Sequence, residues 1–344
     1  MYGWGGNDNF SRGGYNYDDA KRGYLDALAK DAAKKGPRTY SKSTAGDWSI
    51  VDPKRKAIMT DSANPIVVGV DVTGSMSDWP AEIFDRLPLM YQTLSQYRDD
   101  VALSFNAIGD ANSDNYPLQV NDFKKGIALE DAVKAIICEG GGGGQVSESY
   151  ELFGHFMKER CKTPNATSPF LFIFGDEKFY NTVDPGQVKH YIGETLQSPV
   201  PSAAVWDGLQ QRFNLYLLHK PYGNGGDART DKEVVDHWAA AIGRQRIVEL
   251  PSKERAVDVL VGIVAKHWGQ YGDFSKNMGA RQPDEEVASV HKSLRYLPAD
   301  PAPTSVLGDS GRSASRGAKS VRTSKATRSL SEMFNDAKIN DAKK

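Results

Sequence analysis

The sequence predicts an α/β fold: a doubly wound, mostly parallel sheet with helices on both faces, flanked by disordered N- and C-terminal tails. Three observations predict it. The stretch Ile66-Val67-Val68-Gly69-Val70-Asp71-Val72-Thr73-Gly74-Ser75-Met76 is an apolar, β-branched run that ends in an acid and a Gly turn. That is the pattern of a buried parallel strand delivering its last side chains to the sheet's carboxyl edge. Strand-like and helix-like segments then alternate from 64 to 269, as a sheet wound with helices requires. Both ends of the chain drop out of that alternation.

Taken in order, residues 1–17 mix Gly and Asn with Tyr2, Trp4, Phe10, Tyr15 and Tyr17, a composition that builds no core and reads as disordered. Residues 18–63 are a helix and connector. The helix runs from Asp18 to Lys35 and stops at Gly36-Pro37, and a short extended piece is expected at Trp48-Ser49-Ile50-Val51. The core domain spans 64–269. Asp78 to Arg98 repeats at helical period, with Ile83, Leu87, Met90 and Leu94 inward. Val101 to Ile108 is a second strand, and Tyr116 to Phe123 a hairpin partner at the sheet edge. Helices are expected at Leu129–Cys138, Val146–Cys161, Pro185–Leu196, Ala203–Phe213, Asp231–Ile242 and Lys253–Trp268. Phe170–Phe174, Leu215–His219 and Ile247–Leu250 are the remaining strands. Residues 270–328 lose periodicity and read as a disordered, basic Ser/Arg-rich tail. Residues 329–340 carry Leu330, Met333, Phe334 and Ala337 at i, i+3, i+4, i+7 behind a capping box, a short amphipathic helix that either docks a partner or folds back on its own domain.

Lys plus Arg total 43 against 44 for Asp plus Glu, a balance that argues against bulk nucleic-acid or membrane binding. The two cysteines, Cys138 and Cys161, make neither a disulfide framework nor a zinc site. There is no apolar signal region and no run near the ~20 apolar residues of a membrane span, so a cytoplasmic protein without membrane contact is expected.

The chemistry gathers at strand ends. The first strand delivers a carboxylate and two hydroxyls, at Asp71, Thr73 and Ser75, and a strand's period of two points all three the same way. Oxygen-only ligands suit Mg²⁺, Mn²⁺ or Ca²⁺ and not Zn²⁺. The strand Phe170–Phe174 ends likewise in an acid, Asp176. The glycine run Gly140–Gly144 carries neither nucleotide-binding fingerprint. Asp110-Ala111-Asn112-Ser113-Asp114 lacks the Gly and Glu that would complete a Ca²⁺ loop, and is read as part of the ligand rim, with a simple polar turn as the alternative.

Asp71-Val72-Thr73-Gly74-Ser75 resembles the metal-ion-dependent adhesion site (MIDAS) of von Willebrand factor A (vWA) domains, whose signature is Asp-x-Ser/Thr-x-Ser. The resemblance covers roughly 64–269 and implies a Rossmann-like sheet with a site built from three loops. Asp176 matches the family's third-loop acid, in a turn, Gly175-Asp176-Glu177, that otherwise departs from the pattern. The family's second loop offers a Thr after a Gly-rich turn; here Ser147 is the first candidate, with Gln145 and Glu148 behind it. The implied metal ligands are thus Asp71, Thr73, Ser75, Ser147 and Asp176, around Mg²⁺ or Mn²⁺, with Ca²⁺ also admitted.

Two carboxylates leave such an ion short of negative charge, so a protein partner's Asp or Glu would complete it. The function expected is therefore a non-enzymatic, intracellular adaptor that captures an acidic residue. By resemblance, its partner would be an AAA+ ATPase. An alternative on the same sheet is a Mg²⁺-dependent phosphohydrolase or phosphoryl transferase, with Glu177 as base. Another is a nucleic-acid-associated scaffold, or a dock for an acidic partner, acting through the basic residues of 312–328.

Overall fold

The computed structural model describes residues 11–12, 15–16, 26–27, 29–34, 39–40, 47–139, 146–222 and 228–297. Six strands form the central sheet: β1 (Asn64–Asp71), β2 (Val101–Ile108), β3 (Leu118–Gln119), β4 (Phe170–Gly175), β5 (Asn214–His219) and β6 (Ile247–Glu249). Their spatial order is β6-β5-β4-β1-β2-β3. Every neighbouring pair is parallel except β2 with β3. The order reverses between β1 and β4, and such a reversal opens a crevice at the carboxyl ends of the strands.

Strand alternation divides the core in two. Ile66, Val68 and Val70 of β1 join Phe170, Phe172 and Phe174 of β4 in one cluster. That cluster is covered by α1 (Trp79–Tyr97), α2 (Ala128–Lys134) and α6 (Ala256–His267). Val67, Leu171, Ile173, Leu215 and Leu217 point the other way, into a cluster with α3 (Tyr150–Arg160), α4 (Ser202–Gln210) and α5 (Ala228–Ile242). Gly69 interrupts the β-branched run for a steric reason. A Cβ there would lie 2.8 Å from the Phe153 ring and 2.9 Å from Ile108 Cδ1, so its absence lets α3 lie against β1. Among the described residues, no helix is long and apolar enough to cross a membrane.

Several expectations give way to local chemistry. Trp48–Val51 is a helical turn rather than an extended piece, because the Asp47 carboxylate accepts from the Ser49 amide at 3.0 Å and caps it. The helix expected over Leu129–Cys138 stops at Lys134. Ile137 then trades hydrogen bonds with the Gln119 side chain, 2.8 Å from its amide and 2.7 Å to its carbonyl. Val146–Cys161 is not one helix: Ser147–Glu148 pairs as a short parallel strand with Lys178–Phe179, and α3 starts only at Tyr150. The segment from Pro185 widens into a π turn over Val188–Ile192 and is closed by Gly193 at φ 77°. Near the N-terminus, Ser11–Arg12 and Tyr15–Asn16 pair antiparallel, within a stretch the composition assigned no structure.

The largest correction is at the far end. Residues 271–297 belong to the core and not to a tail. They form α7 (Tyr271–Gly279) and α8 (Asp284–Leu294), whose Phe274, Met278, Val290 and Leu294 pack into the α6 cluster. A buried ionic knot fastens them. Asp258 Oδ2 lies 3.1 Å from Arg255 Nη1 and 3.5 Å from Arg86 Nη1, and it accepts from Gln282 Nε2 at 3.4 Å. The basic stretch 312–328 and the helix expected at 329–340 lie outside the described residues.

Candidate functional site

β1 and β4 run side by side with Val70 opposite Phe174, so Asp71 and Asp176 leave adjacent strands at the same edge of the sheet. Asp71 is fully buried and Asp176 is 3% exposed. Burial first, and the charge of Asp176 second, push the Asp71 carboxyl up to about 7. The two acids thus lie at one edge of the sheet, close enough for the charge of Asp176 to act on Asp71.

Asp71 is gripped on both oxygens. Oδ1 accepts from the Thr73 amide at 2.8 Å and from Thr73 Oγ1 at 2.7 Å. Oδ2 accepts from Tyr150 Oη at 2.5 Å. Tyr150 stands at the first turn of α3, fully buried, and reaches Asp71 across Gly175. A Cβ on Gly175 would lie 2.8 Å from Tyr150 Cζ and closer still to its oxygen, so β4 can end there only in glycine.

The second loop contributes Glu148 and not Ser147. The short strand's alternation sends neighbouring side chains to opposite sides. Ser147 Oγ donates to the Val146 carbonyl at 2.7 Å, whereas Glu148 is 2% exposed and places Oε1 3.1 Å from Thr73 Oγ1. Glu148 Oε2 is buried with no hydrogen-bond partner among the described residues. Burial, then the charge of Asp71, pushes this carboxyl up to about 10. Glu177, beside Asp176, is raised to about 8 by burial and then by Asp176 and Asp71; its Oε2 is buried and unpartnered too, among the described residues. The side chain of Ser75 and residues 140–145, Gln145 included, lie outside the described residues.

Thr73 fixes what the cluster can do. Its hydroxyl has one proton and faces two carboxylate oxygens. Either Glu148 keeps its own proton or a cation lies among the three oxygens. The spacing suits the second arrangement: adjacent oxygens of an octahedral shell at about 2.1 Å from Mg²⁺ stand about 3.0 Å apart, against 2.7 and 3.1 Å here. The orphaned Glu148 oxygen and the pile-up of buried carboxyls fit a hard divalent ion as well. Among the described residues, no group of three or more His, Cys, Asp or Glu could hold a metal ion, and the oxygens that do stand at coordination spacing are those of Asp71, Thr73 and Glu148.

Around the cluster, Asp176 Oδ2 accepts from Lys220 Nζ at 2.7 Å, and Tyr222 Oη donates to Glu177 at 3.4 Å. The acidic turn lies beside the cluster, where the charge of Asp110 acts on Glu148 and Glu177, and it closes on itself. Asp110 accepts from the Asn112 amide (3.1 Å) and Tyr180 Oη (3.1 Å), and Asp114 accepts from the Asp110 amide (2.7 Å).

The sequence matches no protein-family model and no curated protein. Among solved structures, the chain is similar to the pilus adhesin SpaC from Lactobacillus rhamnosus GG in its open conformation. Identity is 11% and the TM-score 0.41, over 65% of this chain and 31% of the adhesin. A second crystal form of that adhesin gives 11% identity and a TM-score of 0.42, over 65% and 32%. Proximal thread matrix protein 1 from the mussel byssus gives 12% identity and a TM-score of 0.39, over 62% of this chain and 49% of that one. The chain thus spans about a third of the adhesin and about half of the mussel protein.

Proposed function

We propose that this chain is a cation-dependent protein-binding module of the vWA type, doubly wound, which captures a partner's Asp or Glu at the crevice between β1 and β4. The observation that carries this reading is the single Thr73 proton facing two carboxylates, with a buried Glu148 oxygen left over. Asp71, Thr73, Glu148 and Asp176 would hold Mg²⁺ or Mn²⁺, and Ser75 is the further hydroxyl that the DxTxS pattern adds. Bound there, the ion supplies a Lewis-acidic position for an oxygen ligand.

The protein's own groups set the charge. Once the ion takes the place of the Glu148 proton, Asp71, Glu148 and Asp176 bring three negative charges and Lys220 one positive, which a divalent cation brings to zero. A partner's carboxylate would then be recruited by the coordination position these side chains leave open. Tyr150 and the Thr73 amide hold Asp71 in one orientation throughout, and its full burial keeps its screening by water low.

The test is capture of acidic protein partners by the immobilised full chain, in Mg²⁺ and in chelator, with Asp71→Asn as control. Capture that needs Mg²⁺ and is lost in Asp71→Asn, with the fold intact by circular dichroism, is expected. Capture that survives chelator unchanged would overturn the reading. Mg²⁺-dependent turnover of generic phosphoesters, lost in Asp176→Asn, would favour phosphoryl chemistry instead.

A further inference from the structure

We infer that Lys220 is a built-in counter-cation that competes with the divalent ion for Asp176, lowers the site's affinity for it, and so makes the site depend on a partner's acid. This rests on the reading of the site given above. Strand register puts Lys220 there: His219 pairs with Gly175, and the Lys220 amide continues the ladder by donating to the Gly175 carbonyl at 3.0 Å. The residue after β5 thereby stands beside the residue after β4. Its Nζ lies 2.7 Å from Asp176 Oδ2 and 5.6 Å from the centroid of the Tyr222 ring, and its side chain is 25% exposed while that of Asp176 is 4% exposed.

Both ends of this arrangement are fixed. The Tyr222 amide donates to Asp231 Oδ1 at 3.0 Å and its hydroxyl reaches Glu177 at 3.4 Å, so the segment carrying Lys220 is tied to α5 and to the turn that carries Asp176 and Glu177. An ammonium on that carboxylate satisfies one buried oxygen and cancels one charge. It also repels any second cation on the same group. A unit charge roughly 5 Å from a divalent ion weakens its binding more than tenfold even at the dielectric constant of water. In a merely structural role Lys220 would hold Asp176 in place, and removing it would weaken cation binding. Competition has the opposite sign.

The experiment is Mn²⁺ titration of the full chain by calorimetry, on wild type, Lys220→Met, Lys220→Arg and Asp71→Asn, each checked for folding by circular dichroism. Lys220→Met is expected to bind Mn²⁺ at least about tenfold tighter than wild type, Lys220→Arg close to wild type, and Asp71→Asn not at all. Binding to Lys220→Met alone supports the inference as well, as the strong form of competition. Equal or weaker binding by folded Lys220→Met, with wild type still binding, overturns the inference and leaves the site reading standing. No binding by either wild type or Lys220→Met overturns both.

Discussion

Replacing Gly175 by Ala should break the Asp71 grip from a distance. The new methyl would lie 2.8 Å from Tyr150 Cζ, nearer than any carbon pair tolerates, and the ring cannot simply step back. It is fully buried, with Trp238 edge-on at 5.5 Å. Tyr150 must therefore withdraw its hydroxyl from Asp71 Oδ2. A hydrogen bond to a charged group contributes about 1.5–3 kcal/mol, and overpacking a close-packed site costs a further ~1–3 kcal/mol. The expected loss for Gly175→Ala is thus about 3–6 kcal/mol, read by urea unfolding in chelator. Tyr150→Phe alone should cost about 1.5–3 kcal/mol. In the Tyr150→Phe background the hydroxyl is already gone, so Gly175→Ala should cost less by that same amount, a coupling that a double-mutant cycle isolates. Equal cost in both backgrounds would refute the claim that Gly175 exists to let Tyr150 reach Asp71.

Two more expectations follow from burial. Asp71 and Glu177 have folded-state pKa values of about 7 and about 8, both above those of free carboxyls. The stability from their retained protons is complete below the unfolded carboxyl range and is lost as pH rises through the folded values. In chelator the melting temperature should therefore fall from about pH 6.5 to about pH 9, and Mg²⁺ should flatten that slope; a flat or rising curve in chelator would contradict the site's electrostatics. The window avoids the acid side, where His267, pushed down to about 4 by burial and Arg246, acts with the opposite sign. At the other end of the core, Asp258→Ala leaves Arg86 and Arg255 buried without their shared acid. It should cost about 3–5 kcal/mol in urea unfolding, and a loss under about 1 kcal/mol would mean the knot does not fasten α8.

Much of the fold was legible because it follows from period and burial alone. β2 runs over the residues that the sequence marks, Val101–Ile108, and β1 ends on Asp71 as its apolar run does. What was missed depends on contacts remote in the chain. Glu148 and Ser147 are equally plausible in a loop. Only the pairing of Ser147–Glu148 with Lys178–Phe179 decides which faces inward. Tyr150 looks like an ordinary core aromatic until the missing Cβ of Gly175 is set against it. Lys220 acquires its role from strand register, which composition does not encode. The C-terminal helices did carry a local signal. Val287, Val290 and Leu294 repeat at three and four residues behind Pro283 and three acids, but the polar Ser- and Arg-rich stretch beyond them dominates the composition.

The central claim is that Asp71, Thr73, Glu148 and Asp176 share one divalent cation. Electron paramagnetic resonance of free aqueous Mn²⁺, titrated with the purified full chain, tests it most directly. The account predicts depletion of the free-ion signal by about one Mn²⁺ per chain, abolished by Asp71→Asn and weakened by Glu148→Gln. A free-ion signal untouched by the folded wild-type chain would contradict it.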